Sequence, residues 1–598
     1  MAPPIPSPSR AWSPGPAWRR LAAALRTSDG GLLGLALVIG ASTGLAAIGF
    51  RWLIVGITRL LTGYRDYSAE GRVGHGWWPA LGPWFVLLTP VVAGLLYGPL
   101  VQWGAREARG HGVPEVMLAV AQRGGRIKPR VAVVKALASA LTIGGGGSVG
   151  REGPIVQIGS ALGSTLGQWV RVPEDRLRVL VACGAAGGIA ATFNAPLAGV
   201  VFALEIILRD FAARSFGMVV VSSVAASVVG RAALGNAPFL DLPQLTVHHL
   251  AAYAVFAVLG VLGGGAGVLF TRVLYAVEDL CDRVWRGPEW LRPGAGGLLL
   301  GLVLLAVPQM YGVGYPVLGN AVAGRYAIGF LVVLLLAKVL ATSLTLGIGG
   351  SGGVFAPSLF LGAVLGAALG QASADLFPDV IGAPGAVALV GMGAVFAGSA
   401  RAPITAVLIV FELTGEYGLI LPLMTAVVLS TGVSHLLSRD SVYTAKLSRR
   451  GIDLTAHPDA SRGDWARTTT VGRVMRAAPP LVTEGTRPAD LRAVAAERGS
   501  VAVVDAGGGL IGLVPARTVA DLAAEGDAGR GTVRDLTVTV PTVGPSVPVA
   551  EALDLLDRHD LDGVPVVDGT GRPVGWFSGQ AVLAALTDRT TATPPTAV

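Results

Sequence analysis

Cysteine is nearly absent: Cys183 and Cys281 are the only two among 598 residues, and neither stands in a metal-ligand spacing. That excludes a disulfide framework and a cysteine-built zinc site. Charge is scarce as well, at 14% of residues against 52% apolar, with mean hydropathy +0.62. Such a balance excludes an ordinary soluble globular chain and points to a polytopic membrane protein. The sequence also lacks a phosphate-binding GxxxxGKS/T loop, a metal-ligand cluster and a nucleophile motif, so it does not read as an enzyme. No small-residue cleavage site follows a short apolar core in residues 1–28, so this is not a signal peptide. That segment is proline-rich and carries Arg10, Arg19, Arg20 and Arg26 without an acid, which predicts a cytoplasmic N-terminus. The net charge of +8 and pI near 9.8 do not indicate nucleic acid, because the arginines sit at the ends of apolar runs and form no stripe with aromatics.

What is abundant is glycine, 85 residues in all. One stretch organises the rest: Gly144–Pro154, GGGGSVGREGP, recurs 203 residues later as Gly347–Pro357, GIGGSGGVFAP. Extended back to Lys135 and Lys338, the two copies share 11 of 20 positions. Ala195-Pro196 with Glu205 recurs 207 residues on as Ala402-Pro403 with Glu412. Duplicated halves with glycine-broken apolar segments point to a transport site near the bilayer midplane. Irregular backbone survives at that depth only where protein or a water-filled cavity covers it.

The uncharged runs include Gly31–Phe50, Val73–Ala105, Val179–Leu204, Leu250–Thr271, Gly294–Gly324 and Val339–Ala374. Several are too long for one span, which predicts tilted, re-entrant and half-length helices. Trp18–Arg26 is expected to be an interfacial helix, with its arginines toward lipid headgroups. After Arg449-Arg450 the composition turns polar, and residues 449–470 read as a linker. Two similar blocks follow, 471–524 and 532–588, each with a helical stretch between short strands; they predict a soluble α/β domain of two repeats.

Pro154 and Pro357 fall near the first turn of the helix that follows each loop, where a missing N–H costs nothing. Each loop therefore ends at a helix N-terminus, whose unpaired amides and partial positive charge make an anion site without a formal cation. Glu152 lies among those donors. A carboxylate is itself an anion of suitable size: charged, it can occupy the place of a transported ion, and protonated, it can vacate it. Arg151 beside it is expected to anchor the loop.

The segments GHGVPE (Gly110–Glu115), GREGP (Gly150–Pro154), NAPLAG (Asn194–Gly199), GVFAP (Gly353–Pro357) and SVYTAKL (Ser441–Leu447) resemble, in order and spacing, the CLC family of chloride channels and proton/chloride antiporters. The resemblance covers about residues 30–448. It implies a polytopic all-α membrane protein of inverted repeats (about 30–240 and 249–448) with broken and tilted helices. The two C-terminal blocks resemble a pair of CBS domains, the cytoplasmic α/β appendage common in that family. The implied partners are the lipid bilayer and a second copy of the chain, each copy with its own pore, both termini being cytoplasmic.

By the same resemblance, a central anion would rest on the amides of Val354 and Phe355 and the hydroxyl of Tyr443. An outer site would use amides near Gly150, Arg151 and Glu152, and Glu152 matches the gating glutamate. His111 stands where the family usually has a serine that contacts the central anion. Neutral imidazole would replace one donor; imidazolium would make transport rise at acid pH. In proton-coupled members two successive glutamates follow NAPLAG, the second accepting protons from inside. Here Glu205 matches the first, structural one and is the remaining acid for a proton route with Glu152, while Ile206 replaces the second. The implied activity is chloride transport, as a secondary transporter with a glutamate gate and proton exchange; the alternative is a passive voltage- or pH-gated channel. A cation transporter with CBS domains is disfavoured because divalent cations need convergent carboxylates. A membrane sensor is disfavoured because the aspartate that holds a ribose is missing after both second strands, where Pro515 and Thr518 or Ser578 and Ala581 stand. No cofactor is implied, chloride being the substrate, and adenine nucleotide at the CBS pair is left open.

Overall fold

A computed structural model describes residues 28–235, 249–378, 383–452, 465–491, 500–515, 518, 532–559, 561, 563–582 and 584–585. The interfacial helix expected at Trp18–Arg26 lies outside them. The chain divides into two compact units, residues 1–452 and 453–598.

The first unit is helical. Its elements are α1 (Asp29–Thr62), α2 (Phe85–Pro99), α3 (Val113–Gln122), α4 (Arg130–Gly144), α5 (Glu152–Val170), α6 (Glu174–Phe193), α7 (Pro196–Phe202) and α8 (Ala213–Leu234). They recur as α9 (Ala252–Val284), α10 (Arg292–Ala306), α11 (Tyr315–Val322), α12 (Ile328–Gly347), α13 (Phe355–Leu376), α14 (Pro384–Ala400), α15 (Pro403–Thr414) and α16 (Ile420–Leu437), and a short α17 (Thr444–Ser448) follows. The duplication thus extends to every helix of the unit before α17, well beyond the loops that announced it.

Among the described residues eight helices are long and apolar enough to cross a membrane, and the unit is an integral membrane domain. Helix α1 starts at Ser28, whose hydroxyl accepts the Gly31 amide at 3.0 Å, and stops at Gly63 with φ 85°, a polar N-cap and a left-handed C-cap. Its 34 residues make a rod of about 51 Å at 1.5 Å per residue, well over the hydrocarbon thickness of about 30 Å, so it tilts or protrudes. Conversely α3, α7, α11 and α15 are too short to cross. The over-long apolar runs break where expected in kind: Val179–Leu204 divides at Asn194, and Val339–Ala374 divides over Ile348–Val354. Asn194 and Arg401, the equivalent joints of the two halves, both adopt positive φ, 58° and 56°.

Glycine lets the halves pack closely. A methyl placed on Gly184 would lie 2.0 Å from the Gly159 carbonyl oxygen, and one on Gly362 would lie 2.1 Å from that of Gly391. The α5/α6 and α13/α14 crossings are thus made by the same device, small residues in backbone contact.

In the second unit the first block forms a sheet of β1 (Leu481–Thr483), β2 (Val501–Val504) and β3 (Leu510–Val514), with β1 parallel to β2 and β2 antiparallel to β3. The second block has α18 (Val549–Arg558) and a hairpin of β4 (Gly563–Val567) with β5 (Pro573–Ser578), plus a parallel bridge from Val543 to Val566. That bridge occupies the place of β1, so both blocks share one topology. Their hairpin turns match too: Asp505 accepts the amides of Gly507 and Gly509, and Asp568 those of Thr570 and Arg572. The Thr570 hydroxyl also donates to Asp568 and is the main cause holding that exposed carboxyl below its ordinary range. Residues 465–470, read from composition as linker, instead join this unit: Trp465 packs on its apolar core and Thr470 pairs with Pro548. An aromatic anchor in a polar stretch leaves too weak a periodic signal to be seen in sequence.

Candidate functional site

The two glycine loops meet. Gly150 and Gly353 form an antiparallel bridge, the Gly150 amide donating to Gly353 at 2.8 Å and the Gly353 amide to Gly150 at 2.6 Å. The surrounding bonds are reciprocal. Thr345 Oγ1 accepts the Ser148 amide and Thr142 Oγ1 accepts the Ser351 amide, both at 3.2 Å. Since Thr142 and Ser148 are the repeat equivalents of Thr345 and Ser351, the halves are related by a two-fold axis through the bridge. The glycines are steric requirements: a methyl on Gly353 would sit 2.7 Å from the Gly153 nitrogen, and one on Gly153 would sit 2.2 Å from the His111 carbonyl oxygen.

Each loop feeds a helix start. Glu152 opens α5, while Val354 caps and Phe355 opens α13. As at any helix start, the first amides have no carbonyl partner within their own helix. Glu152 is buried, 1% exposed. Its Oε2 lies over Gly150, where it and the Ala356 nitrogen flank one point, and it has no hydrogen-bond partner. Its Oε1 accepts the Tyr315 hydroxyl. The carboxylate therefore sits at the junction of the two helix starts.

The other expected residues gather round this point. Tyr443 is buried immediately before α17, within electrostatic reach of Glu152. It is fixed to α13 by a relay in which the Val442 amide donates to the Ser399 carbonyl at 2.8 Å, Ser399 Oγ to Ser358 Oγ at 3.0 Å, and Ser358 Oγ to the Val354 carbonyl at 2.9 Å. His111 is buried, neither ring nitrogen has a partner, and its ring meets Tyr275 edge-on at 6.1 Å. Tyr275 in turn donates to the Val442 carbonyl at 2.7 Å, so His111 packs on a tyrosine anchored to the residue before Tyr443. Phe355 packs among Phe193, Phe202 and Phe396, with ring centroids 5.5, 6.1 and 4.4 Å away. Arg151 turns outward, its guanidinium 5.0 Å from the Tyr315 ring centroid.

Glu205 is not gathered. Its carboxylate accepts the amides of Ile404 and Thr405, at 3.1 and 2.9 Å, and the Thr405 hydroxyl at 2.6 Å. Glu412 does the same for the amides of Leu197 and Ala198, at 3.0 and 2.7 Å. Each glutamate caps the short helix of the opposite half, where a carboxylate suits both the free amides and the dipole. Ile206 is buried in the irregular end of that segment.

Two features escaped the sequence reading. Lys135 and Lys338 are wholly buried equivalents, Lys135 donating to the carbonyls of Ala108 and Gly110 at 2.9 and 2.7 Å, Lys338 to Ser148 Oγ and the Val313 carbonyl, both at 3.0 Å. They pin the loops rather than face an ion. Tyr315 was missed because its motif, GVGYP (Gly312–Pro316), is a diverged copy of GHGVP 202 residues earlier. The shared signal is the glycine before the proline turn: Gly112 and Gly314 both precede a helix start at φ 82° and 86°.

Comparison with known proteins follows the same division. The family model described as voltage gated chloride channel matches residues 93–435, and that for a CBS domain matches residues 533–588. A ClcB-like protein of Ralstonia nicotianae is 34% identical over 72% of this chain and its own full length. An H(+)/Cl(-) exchange transporter, ClcA, of Vibrio parahaemolyticus is 38% identical over 61% of this chain and 79% of its own. Among solved structures, a slow cyanobacterial Cl-/H+ antiporter matches with TM-score 0.63 and 27% identity over 70% of this chain and 97% of its own. A eukaryotic CLC transporter matches over 94% of this chain and 98% of its own, with TM-score 0.58 and 23% identity, a likeness of fold.

Proposed function

Since the chain belongs to the voltage gated chloride channel family, we propose that it carries chloride across the bilayer between its two paired glycine loops, with Glu152 as the gate and a proton exchanged when that gate opens. The observation that carries this reading is the Glu152 carboxylate at the junction of two helix starts, one oxygen without a partner. Taking a bare ion into a low-dielectric interior costs tens of kcal/mol by Born arguments. Charge-assisted hydrogen bonds return about 1.5–3 kcal/mol each and a helix end up to about 2 kcal/mol, so several must converge. The amides of Arg151 and Glu152 would form the outer site; the Gly150 amide, expected to join them, is committed to the Gly353 carbonyl and shapes the loop instead. The amides of Val354 and Phe355, with the Tyr443 hydroxyl and the His111 ring, would form the central one. A charged Glu152 fills the outer position; protonated, it gives way to chloride.

Further supports extend the reading. Arg123, Arg126, Lys128 and Arg130 surround the turn between α3 and α4 without an acid in that turn, which by the positive-inside bias supports a cytoplasmic side for that turn; cytoplasmic termini remain what the family likeness implies. The homodimer rests on the family to which the chain belongs; outward apolar residues such as Leu197, Val228, Ile404 and Val428 suit lipid as well as a second copy. The CBS pair would serve as a cytoplasmic platform that works without nucleotide.

Purified protein in vesicles, tested for chloride efflux and for proton uptake driven by a chloride gradient, checks the reading. Efflux with proton uptake is expected. Efflux without any proton movement would favour the passive channel, to which the buried Ile206 inclines, and absence of chloride flux would overturn the transport reading.

A further inference from the structure

The outer side of the gate carries a residue that none of the site motifs assigns. Tyr315 opens α11, its hydroxyl donates to Glu152 Oε1, and its ring face carries the Arg151 guanidinium. On its other side it lines a cavity of about 1150 Å³ together with Arg51, Arg59, Arg65, Arg151 and Asp66. Tyr315 thus separates a basic vestibule from the buried carboxylate. Among the described residues Arg51, Arg59 and Arg65 make no ion pair, so the vestibule keeps its positive charge and gathers anions against the far side of this tyrosine.

We propose that Tyr315 is the latch of the gate: its hydroxyl holds the Glu152 carboxylate in the closed position, and opening requires that bond to break. The inference rests on Glu152 being the gate. Its physical basis is the choice of partner. A phenolic O–H donates to a charged carboxylate more strongly than to a neutral acid, so the bond favours the charged, closed gate over the protonated, open one. The Arg151 guanidinium over the ring holds it in place and draws electron density from the phenol, which makes the hydroxyl a better donor. The other ionisable groups acting on Glu152 are Arg151 itself, Lys338 from α12 and Tyr443 before α17. Lys338 is spoken for by Ser148 and Val313. Tyr315 is a positioning residue in this scheme, acting on the ion only through Glu152.

The test is chloride efflux from vesicles holding the full chain, measured against external pH, for wild type, Tyr315→Phe, Glu152→Ala and the double variant. Loss of one hydrogen bond to a charged group should raise flux about tenfold to a hundredfold at the pH where wild type is gated shut, moving the half-maximum about one to two pH units toward alkaline. The direction is fixed, because a closed gate deprived of its donor protonates at lower proton concentration. In the Glu152→Ala background Tyr315→Phe should change nothing. Tyr315→Met, which removes both hydroxyl and ring, must shift the profile the same way, and it guards against a folding defect peculiar to one variant. A Tyr315→Phe profile lying on that of wild type, or an equal rise without Glu152, overturns the latch while leaving the transport reading intact; wild type that moves no chloride overturns both.

Discussion

Replacing Glu205 separates two readings of the acid that follows the NAPLAG segment, toward the end of the first repeat. As a proton carrier it would matter for its charge; as a cap it matters for its oxygens. The structure gives it three bonds, to the Ile404 and Thr405 amides and the Thr405 hydroxyl. Losing an N-cap typically costs about 0.5–2 kcal/mol, and hydrogen bonds to charged groups are worth about 1.5–3 kcal/mol each. Because the Ile404 contact is exposed, the low end applies, and Glu205→Ala should destabilise by about 2–3 kcal/mol in total. Glu205→Gln keeps one acceptor oxygen in the same shape and should cost about 1 kcal/mol. The assay is the apparent unfolding midpoint in detergent at fixed scan rate, since such proteins unfold irreversibly, run beside the ratio of protons to chloride in vesicles. The expected result is a midpoint lowered in the order Ala, then Gln, with the ratio unchanged in both. Glu412→Ala, which loses two amide bonds and no hydroxyl, should cost somewhat less than Glu205→Ala, and the double variant should fall short of the sum, because both caps join the same pair of helices. A Glu205→Gln protein that keeps its midpoint but loses proton uptake would refute the cap.

Gly353→Ala places a methyl 2.7 Å from the Gly153 nitrogen; backbone cannot yield there as a side-chain tip would, so dispersed protein should be lost or chloride flux abolished, as read by size-exclusion profile and efflux. At His111, Ala removes the donor whereas Ser supplies another: His111→Ala should weaken chloride binding by about 1 kcal/mol, roughly fivefold, and His111→Ser should not. Calorimetric titration with chloride checks this, equal affinity in the Ala variant would remove the ring from the site, and efflux across pH shows whether the ring takes a proton. Neither AMP nor ATP should give a heat of binding to the full chain, because neither block carries the ribose-holding aspartate; saturable binding would make the C-terminal unit a sensor.

Within the membrane domain, the duplication revealed what it had preserved letter for letter, while His111 and Tyr443 came only from the likeness of their segments to the family. The loops at Gly150 and Gly353 and the glutamates at 205 and 412 kept their identities, so their equivalence was visible at a fixed offset, and the break between spanning helices followed from glycine and proline chemistry. Tyr315 could not be found that way, because GVGYP and GHGVP share only glycines and a proline, and helices of eight or ten residues carry no useful periodicity. Nor could the reciprocity of the caps. A glutamate at the end of an apolar helix suggests a proton site as readily as a structural one until the amides of the other half are seen beside it.

The lysines show why geometry decides in such a site. Two buried ammonium groups within a domain that handles anions would, on charge alone, be expected to hold the ion. Each is instead committed to oxygens of its surroundings, Lys135 to two carbonyls just before His111 and Lys338 to Ser148 and Val313. A buried charge is tolerable only when so paired, and the pairing leaves the lysines to shape the loops while the loops' amides face the path. An ion held by dipoles alone is held weakly enough to leave. The same economy would explain how a carboxylate on the chain could compete for the position at all: against a formal cation Glu152 would be locked in an ion pair, whereas beside helix starts and bonded to one hydroxyl it would stay exchangeable with chloride.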